Sequence, residues 1–271
     1  MKNHPMPMNL AKWIHHFGVA NRRNRIEPAW NAPLAMADEK RKALAATLAE
    51  YQLGDGGGPC KLIARDAERL RASDDEVKEV IDLWFKEEAE HSRLLGGAVR
   101  RLQGEFVTDT FAFRLFKLCR RALGAQYEML VLLLVEIIST AYYHVICRHC
   151  DDSPIAHMCL LILRDEGGHV TFHRERLSSL YPTGVSRAWK AQFWALGVAC
   201  AVFLWLGHGK WLRTIGAQRT EFFDLVTRGL NRFINRLRLA AERQPSTQAD
   251  GHERDWRAGY AAHSTVAIPT R

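Results

Sequence analysis

The sequence carries the pattern Glu-x-x-His twice, as Glu88-Ala89-Glu90-His91 and as Glu166-Gly167-Gly168-His169. Both copies lie in segments whose apolar residues recur at three- and four-residue spacing, the period of a helix. Residues i and i+3 share a helix face, so each copy offers a carboxylate and an imidazole to one point in space. A single copy is within chance for a chain with 12 histidines. Two copies, each a similar distance past its own turn, call for two helical hairpins whose inner faces meet.

Helical spacing runs through nearly the whole chain, so the class is all-α. Residues 1–34, with Pro5, Pro7, Pro28 and Pro33, read as an irregular N-terminal segment. A helical pattern follows over about 35–71. Ser73-Asp74-Asp75-Glu76 reads as a capping box that opens the next helix, to about 102. Residues 103–121 read as a long, partly helical connection. A third helix covers about 125–148. The turn Asp151-Asp152-Ser153-Pro154 follows, with Ser153 as cap and Pro154 at the first helical position. A fourth helix closes the unit spanning 35–181. Helices near 187–206 and 216–243 form a C-terminal extension (182–243) packed on that unit, and the polar tail 244–271 reads as disordered. The core is thus a four-helix bundle with one long crossover.

Antiparallel helices meet level by level, so partner carboxylates should lie about as far before each turn as the motif lies after it. Glu88 is mirrored near Gly58; Asp55 misses that level by roughly 4–5 Å and Glu50 by roughly 12 Å, at 1.5 Å per residue. Glu166 is mirrored near Ile138; Glu136 misses by about 3 Å and Glu128 by about 15 Å. Asp55 and Glu136 are favoured, displaced in the same direction, with Glu50 and Glu128 as alternatives. Glu136 also sits inside MLVLLLVEIIS, where an unpartnered carboxylate is strongly disfavoured. A buried Arg partner or a metal would satisfy it.

These residues resemble the ferritin-like di-iron carboxylate superfamily, nearest its rubrerythrin-type and oxidase members. The likeness covers about residues 40–178. YQLGDGGG is similar to the first-helix motif, with Asp55 where Glu is usual; EEAEH and DEGGH are similar to the EExxH and DExxH motifs. The resemblance implies Asp55, Glu88, His91, Glu136, Glu166 and His169 as metal ligands. It adds His173, four residues after His169, as a candidate seventh ligand, as in N-oxygenase-type members. Asp165 takes a supporting role toward His91. Tyr143, seven residues after Glu136, faces inward as a supporting phenol or a core tyrosine. The paired CxxC site of rubrerythrins is missing.

Charge and cysteines bound the rest. The net charge of +8 is spread along the chain, with clusters at Arg22-Arg23-Asn24-Arg25 and Arg120-Arg121. No nucleic-acid signature accompanies it, and no nucleic acid is expected as partner. The six cysteines, Cys147-Arg-His-Cys150 included, read as thiols of a reducing cytoplasm. Phe193–Leu206 is shorter than a membrane span, and Met129–Cys147 contains Glu136 and His144; both read as buried helices. Met8, Leu10, Trp13, Ile14 and Phe17 form an amphipathic start, read as packing on the bundle, with peripheral membrane contact as the alternative.

Glu/His ligation suits iron, with manganese an alternative at one or both positions. The expectation is a non-haem di-iron oxidase or oxygenase using O2 or peroxide, a small or lipid-like organic substrate and a separate electron donor. The alternatives are an iron-handling or peroxide-detoxifying protein and a metal-free helical scaffold. A homodimer is an open option. Phe193, Trp194, Phe203, Leu204 and Trp205 could wall an apolar pocket, with ordinary core packing favoured.

Overall fold

A computed structural model describes residues 8–22, 25–56, 61–72 and 74–242. Among the described residues every regular element is helical: α1 (Leu10–Arg22), α2 (Asp38–Gly56), α3 (Ala67–Arg71), α4 (Asp75–Arg101), α5 (Phe111–Ala122), α6 (Ala125–His149), α7 (Ser153–Leu180), α8 (Arg187–Thr214) and α9 (Arg219–Glu242).

The N-terminal segment departs from the pattern expected of its prolines. It is not irregular throughout, because Leu10–Arg22 is helix. The prolines bracket this stretch rather than interrupt it, and the Asn9 side chain accepts from the Lys12 amide at its start. Trp13 and Phe17 are buried, so the amphipathic start packs inward, mainly on α4.

The pattern at 35–71 splits into α2 and the short α3. Glycine and proline disfavour helix, and the Gly-Gly-Gly-Pro run follows where α2 stops; residues 57–60 lie outside the described residues. The capping residue of α4 is Asp74, which accepts from the amides of Glu76 and Val77; Ser73 lies outside the described residues. At α7 the cap is Asp152 rather than Ser153, accepting from the Ile155 amide. Asp152 also forms a buried ion pair with Arg101, at 2.6 Å. That pair ties the end of α4 to the start of α7. The polar tail beyond 242 lies outside the described residues.

Two hairpins result. α2 packs on α4, α6 packs on α7, and α4 meets α7. The connection between them carries α5, which lies along α6. α8 covers α2 and α6, while α9 packs on α6, α7 and α8. The α8–α9 turn contains Gly216 at φ +106°, a left-handed conformation that glycine adopts without strain.

Among the described residues two helices, α6 and α8, are long and apolar enough to cross a membrane. They differ in burial: 67% of the apolar stretch of α6 is buried, against 28% for α8. Reading α8 as a buried helix is therefore corrected. Phe193 and Trp205 point into the core, but Trp194, Phe203 and Leu206 are exposed.

Candidate metal centre

Four helices bring acids and imidazoles to one buried place. Glu88 and His91 come from α4, Glu136 from α6, Glu166 and His169 from α7, and Asp55 from the last turn of α2. One ligand atom each from Glu88, Glu136 and His169 lies within 4.8 Å of the others. His169 Nδ1 is 2.9 Å from Glu88 Oε1 and 3.5 Å from both Glu136 Oε2 and Glu166 Oε2. His91 Nδ1 is 3.7 Å from Glu88 Oε2 and 3.9 Å from Glu166 Oε1. Both histidines therefore turn Nδ1 toward the shared carboxylates.

Their other nitrogens turn outward onto a second pair of acids. His91 Nε2 lies 3.4 Å from Asp165 Oδ2, and His169 Nε2 lies 3.0 Å from Glu87 Oε2. The arrangement is crossed: the acid preceding each motif holds the histidine of the other. Helix geometry explains it, since residue i−1 is turned about 100° from residue i and reaches the neighbouring helix. Arg25 pairs with Asp165 at 2.6 Å and approaches Glu87 to 3.7 Å. Asp165 was expected from sequence; Glu87 and Arg25 were not. The doubled acids Glu87-Glu88 and Asp165-Glu166 were the available signal for Glu87. Nothing local marks Arg25, which looks like one of a basic surface cluster.

Electrostatics follow from packing several acids out of water. Burial pushes the Asp55 carboxyl up to about 8, helped by the neighbouring charge of Glu88. Burial and the adjacent Glu136 push Glu166 well above the usual carboxylate range. Burial also works to raise Glu88, but the His169 and His91 imidazoles outweigh it and hold its carboxyl low. Burial works against protonating His91 and His169, and the surrounding carboxylates override it and hold both rings above the ordinary imidazole range. Packed together out of water, Asp55 and Glu166 are pushed toward holding protons and the two histidines toward positive charge.

The remaining expected residues fall in different places. The Tyr143 hydroxyl donates to Asp55 Oδ2 at 3.3 Å. His173 is fully buried beside the cluster, edge-on to Trp84 at 5.1 Å, and neither ring nitrogen has a hydrogen-bond partner. Burial holds its ring neutral. The alternative acids lie elsewhere. Glu128 accepts from the Ile63 and Ala64 amides and from Arg120, so it serves the segment ahead of α3. Glu50 lies 3.7 Å from His208. On α6 and just beyond it, Cys147 and Cys150 donate weakly to backbone carbonyls, and burial pushes the Cys150 thiol up to about 12, which makes it a poor ligand.

Aromatic side chains close the histidine side. Phe17 of α1 lies 5.9 Å from the His169 ring and Trp84 6.0 Å; Phe172 packs against both. The Gly168 backbone lies close under His16, where an added Cβ would be 2.7 Å from Nε2. Comparison with known proteins adds no relative: no family model matches the chain, and neither does any curated protein or solved structure.

Proposed function

We propose that this chain is a non-haem di-iron carboxylate protein of ferritin-like arrangement, acting as an oxidase or oxygenase on an organic substrate. The observation that carries the reading is the crossed clamp. Two imidazoles are each anchored from behind by an acid, so that both Nδ1 atoms face Glu88 and Glu166, with Glu136 beside His169. Metal-bound histidines characteristically give their second nitrogen to a carboxylate in this way.

The donor set fits a pair of divalent ions. Among the described residues, His91 Nδ1, His169 Nδ1 and Glu166 Oε2 are buried and reach their neighbours only through nitrogen–carboxylate approaches that lack good hydrogen-bond geometry; a cation among them would satisfy all three. Asp55, Glu88, Glu136 and Glu166 together carry the charge that two divalent cations neutralise. Iron, or manganese at one or both positions, would supply the electrons for reducing O2 or peroxide.

The chain's own groups do the rest. Asp165 and Glu87 fix the tautomer and orientation of the two rings, and Arg25 holds both acids in place. Asp55 and Glu166, protonated in the metal-free protein, release those protons as cations arrive. Phe17, Trp84 and Phe172 exclude water from the His169 side.

The test is metal analysis after anaerobic Fe(II) loading, with about two ions per chain expected. Wild-type protein that retains no metal sinks the proposal. His169→Ala should lose metal and Glu128→Ala should keep it. Oxygen consumption coupled to conversion of an organic compound supports an oxygenase. Consumption of peroxide alone points instead to detoxification.

A further inference from the structure

A second buried polar group lies between α2, α6 and α8 and touches the metal site only where Tyr143 donates to Asp55. Tyr51, Tyr142 and Tyr143 are all buried. The Tyr51 and Tyr142 rings stack at 4.0 Å with planes 8° apart, and Tyr143 stands edge-on to them at 5.4 and 5.5 Å. At one end Tyr143 donates to Asp55. At the other, the Tyr142 ring is 5.8 Å from His208, and His208 is 5.7 Å from Trp211. Trp211 lines a surface pocket with Arg41, Lys42 and Glu50. Aromatic rings thus run from Asp55 to the surface without a centroid gap above 5.8 Å.

Three phenylalanines would fill this space without removing three hydroxyls from water. The hydroxyls do something packing does not require. Thr47 Oγ1 lies 2.9 Å from the Tyr142 hydroxyl and 2.8 Å from His208 Nδ1. Burial lowers His208 to about 4, so the ring is neutral and one nitrogen accepts. One ordering satisfies Tyr142, Thr47 and His208 Nδ1: Tyr142 O–H donates to Thr47, Thr47 O–H donates to His208 Nδ1, and His208 Nε2–H is left facing Glu50, 3.7 Å away. The oxidation of a phenol requires its proton to leave, and this file of groups takes it toward partly exposed Glu50.

We propose that Tyr143, Tyr51, Tyr142, His208 and Trp211, with Thr47 and Glu50, form a coupled electron and proton relay. It connects a one-electron donor at the Trp211 pocket with the centre at Asp55. The terminus at Asp55 rests on the di-metal reading. With iron or manganese bound, the centre would be the acceptor for an electron that Tyr142 gives up through Tyr51 and Tyr143. The Tyr142 O–H proton moves to Thr47 Oγ1, the Thr47 proton moves to His208 Nδ1, and the Nε2 proton passes to Glu50. A reduced flavin or iron–sulfur protein then returns one electron to Tyr142 through Trp211 and His208, and the protons retrace their contacts. The relay's own groups return to their starting state, and one electron has crossed from the donor at the Trp211 pocket to the Asp55 end.

Pulse radiolysis tests the relay without metal. Azide radicals oxidise tryptophan, and intramolecular transfer then converts tryptophan radical to tyrosyl radical, followed by absorbance. A fast conversion phase is expected in wild type. It should be lost in Trp211→Phe and in the Tyr51→Phe/Tyr142→Phe double variant, and kept in the off-path control Tyr181→Phe. Thr47→Val should remove the slowing of this phase in deuterated water. Thermal melts check that each variant folds. A fast phase unchanged in both Trp211→Phe and the double variant overturns the relay. With iron loaded, reduction of the centre by a low-potential dye should slow in the same variants at unchanged metal content; unchanged rates overturn the link to Asp55. A chain that binds no iron defeats the di-metal reading, while the radiolysis result still decides the relay.

Discussion

The two halves of the acidic cluster are built to different standards. On the α4–α7 half, each histidine is held from both sides. His91 lies between Asp165 and Glu88, and His169 lies between Glu87 and Glu88. On the α2–α6 half, Glu136 sits in the middle of a long buried helix. Asp55 sits one residue before the end of its helix and is held by a 3.3 Å hydrogen bond from Tyr143. The difference teaches that the histidines are preorganised by a network, while the Asp55 corner depends on where a helix stops.

The largest expected effect comes from removing a donor on the rigid half. His169→Ala or Glu88→Ala should abolish metal retention, measured by elemental analysis after desalting. Loosening the clamp comes next. Asp165→Asn or Glu87→Gln keeps the fold but weakens the hold on a histidine, so metal affinity should fall about 10–100-fold by competition with a chelator. If both leave affinity unchanged, the crossed clamp is packing and not positioning.

Asp55→Asn should act more gently, leaving the histidine half able to retain one ion while the second is lost. The same variant sharpens the comparison through pH. In metal-free wild type, Asp55 is raised from 3.8 to about 8, so over that interval the folded protein holds a proton that the unfolded chain has released. Stability should therefore fall as pH rises from about 5 to about 8, the folded state binding more protons than the unfolded one. The raised histidines act in the same direction above their unfolded range. Glu88, held low, contributes stability that is lost only when pH falls below its unfolded value of 4.5, outside this window. Thermal melts across the interval should show the decline, and Asp55→Asn should make it shallower, leaving the part due to Glu166 and the two histidines. The smallest effect is expected at Gly168→Ala. His16 is exposed and can turn away, so the change should stay within about 1 kcal/mol.

Much of this was legible in the sequence, for identifiable reasons. Glu136 stood out because a lone carboxylate in an apolar run needs a partner. Asp55 followed from counting residues back from a turn, and Asp165 from the acid ahead of the second motif. Glu87 carried the same signal ahead of the first motif, yet its role depends on a helix three elements away. α1 was hidden by prolines that flank it. α8 was apolar enough to suggest burial, but hydropathy does not say which face a neighbour covers. Thr47, Tyr142 and His208 had no common pattern, because their meeting joins three helices far apart in the chain.

By itself the sequence determined the helical class, the two i, i+3 pairs of carboxylate and imidazole, and the acids opposite them. Those features act over a few residues, through backbone hydrogen bonds and the 3.6-residue period. Tertiary structure alone decided that each histidine is clamped by the other motif's acid, that Arg25 joins both acids, and that three tyrosines line up toward Trp211. These depend on how separate helices are rotated and spaced against one another, which no local pattern encodes.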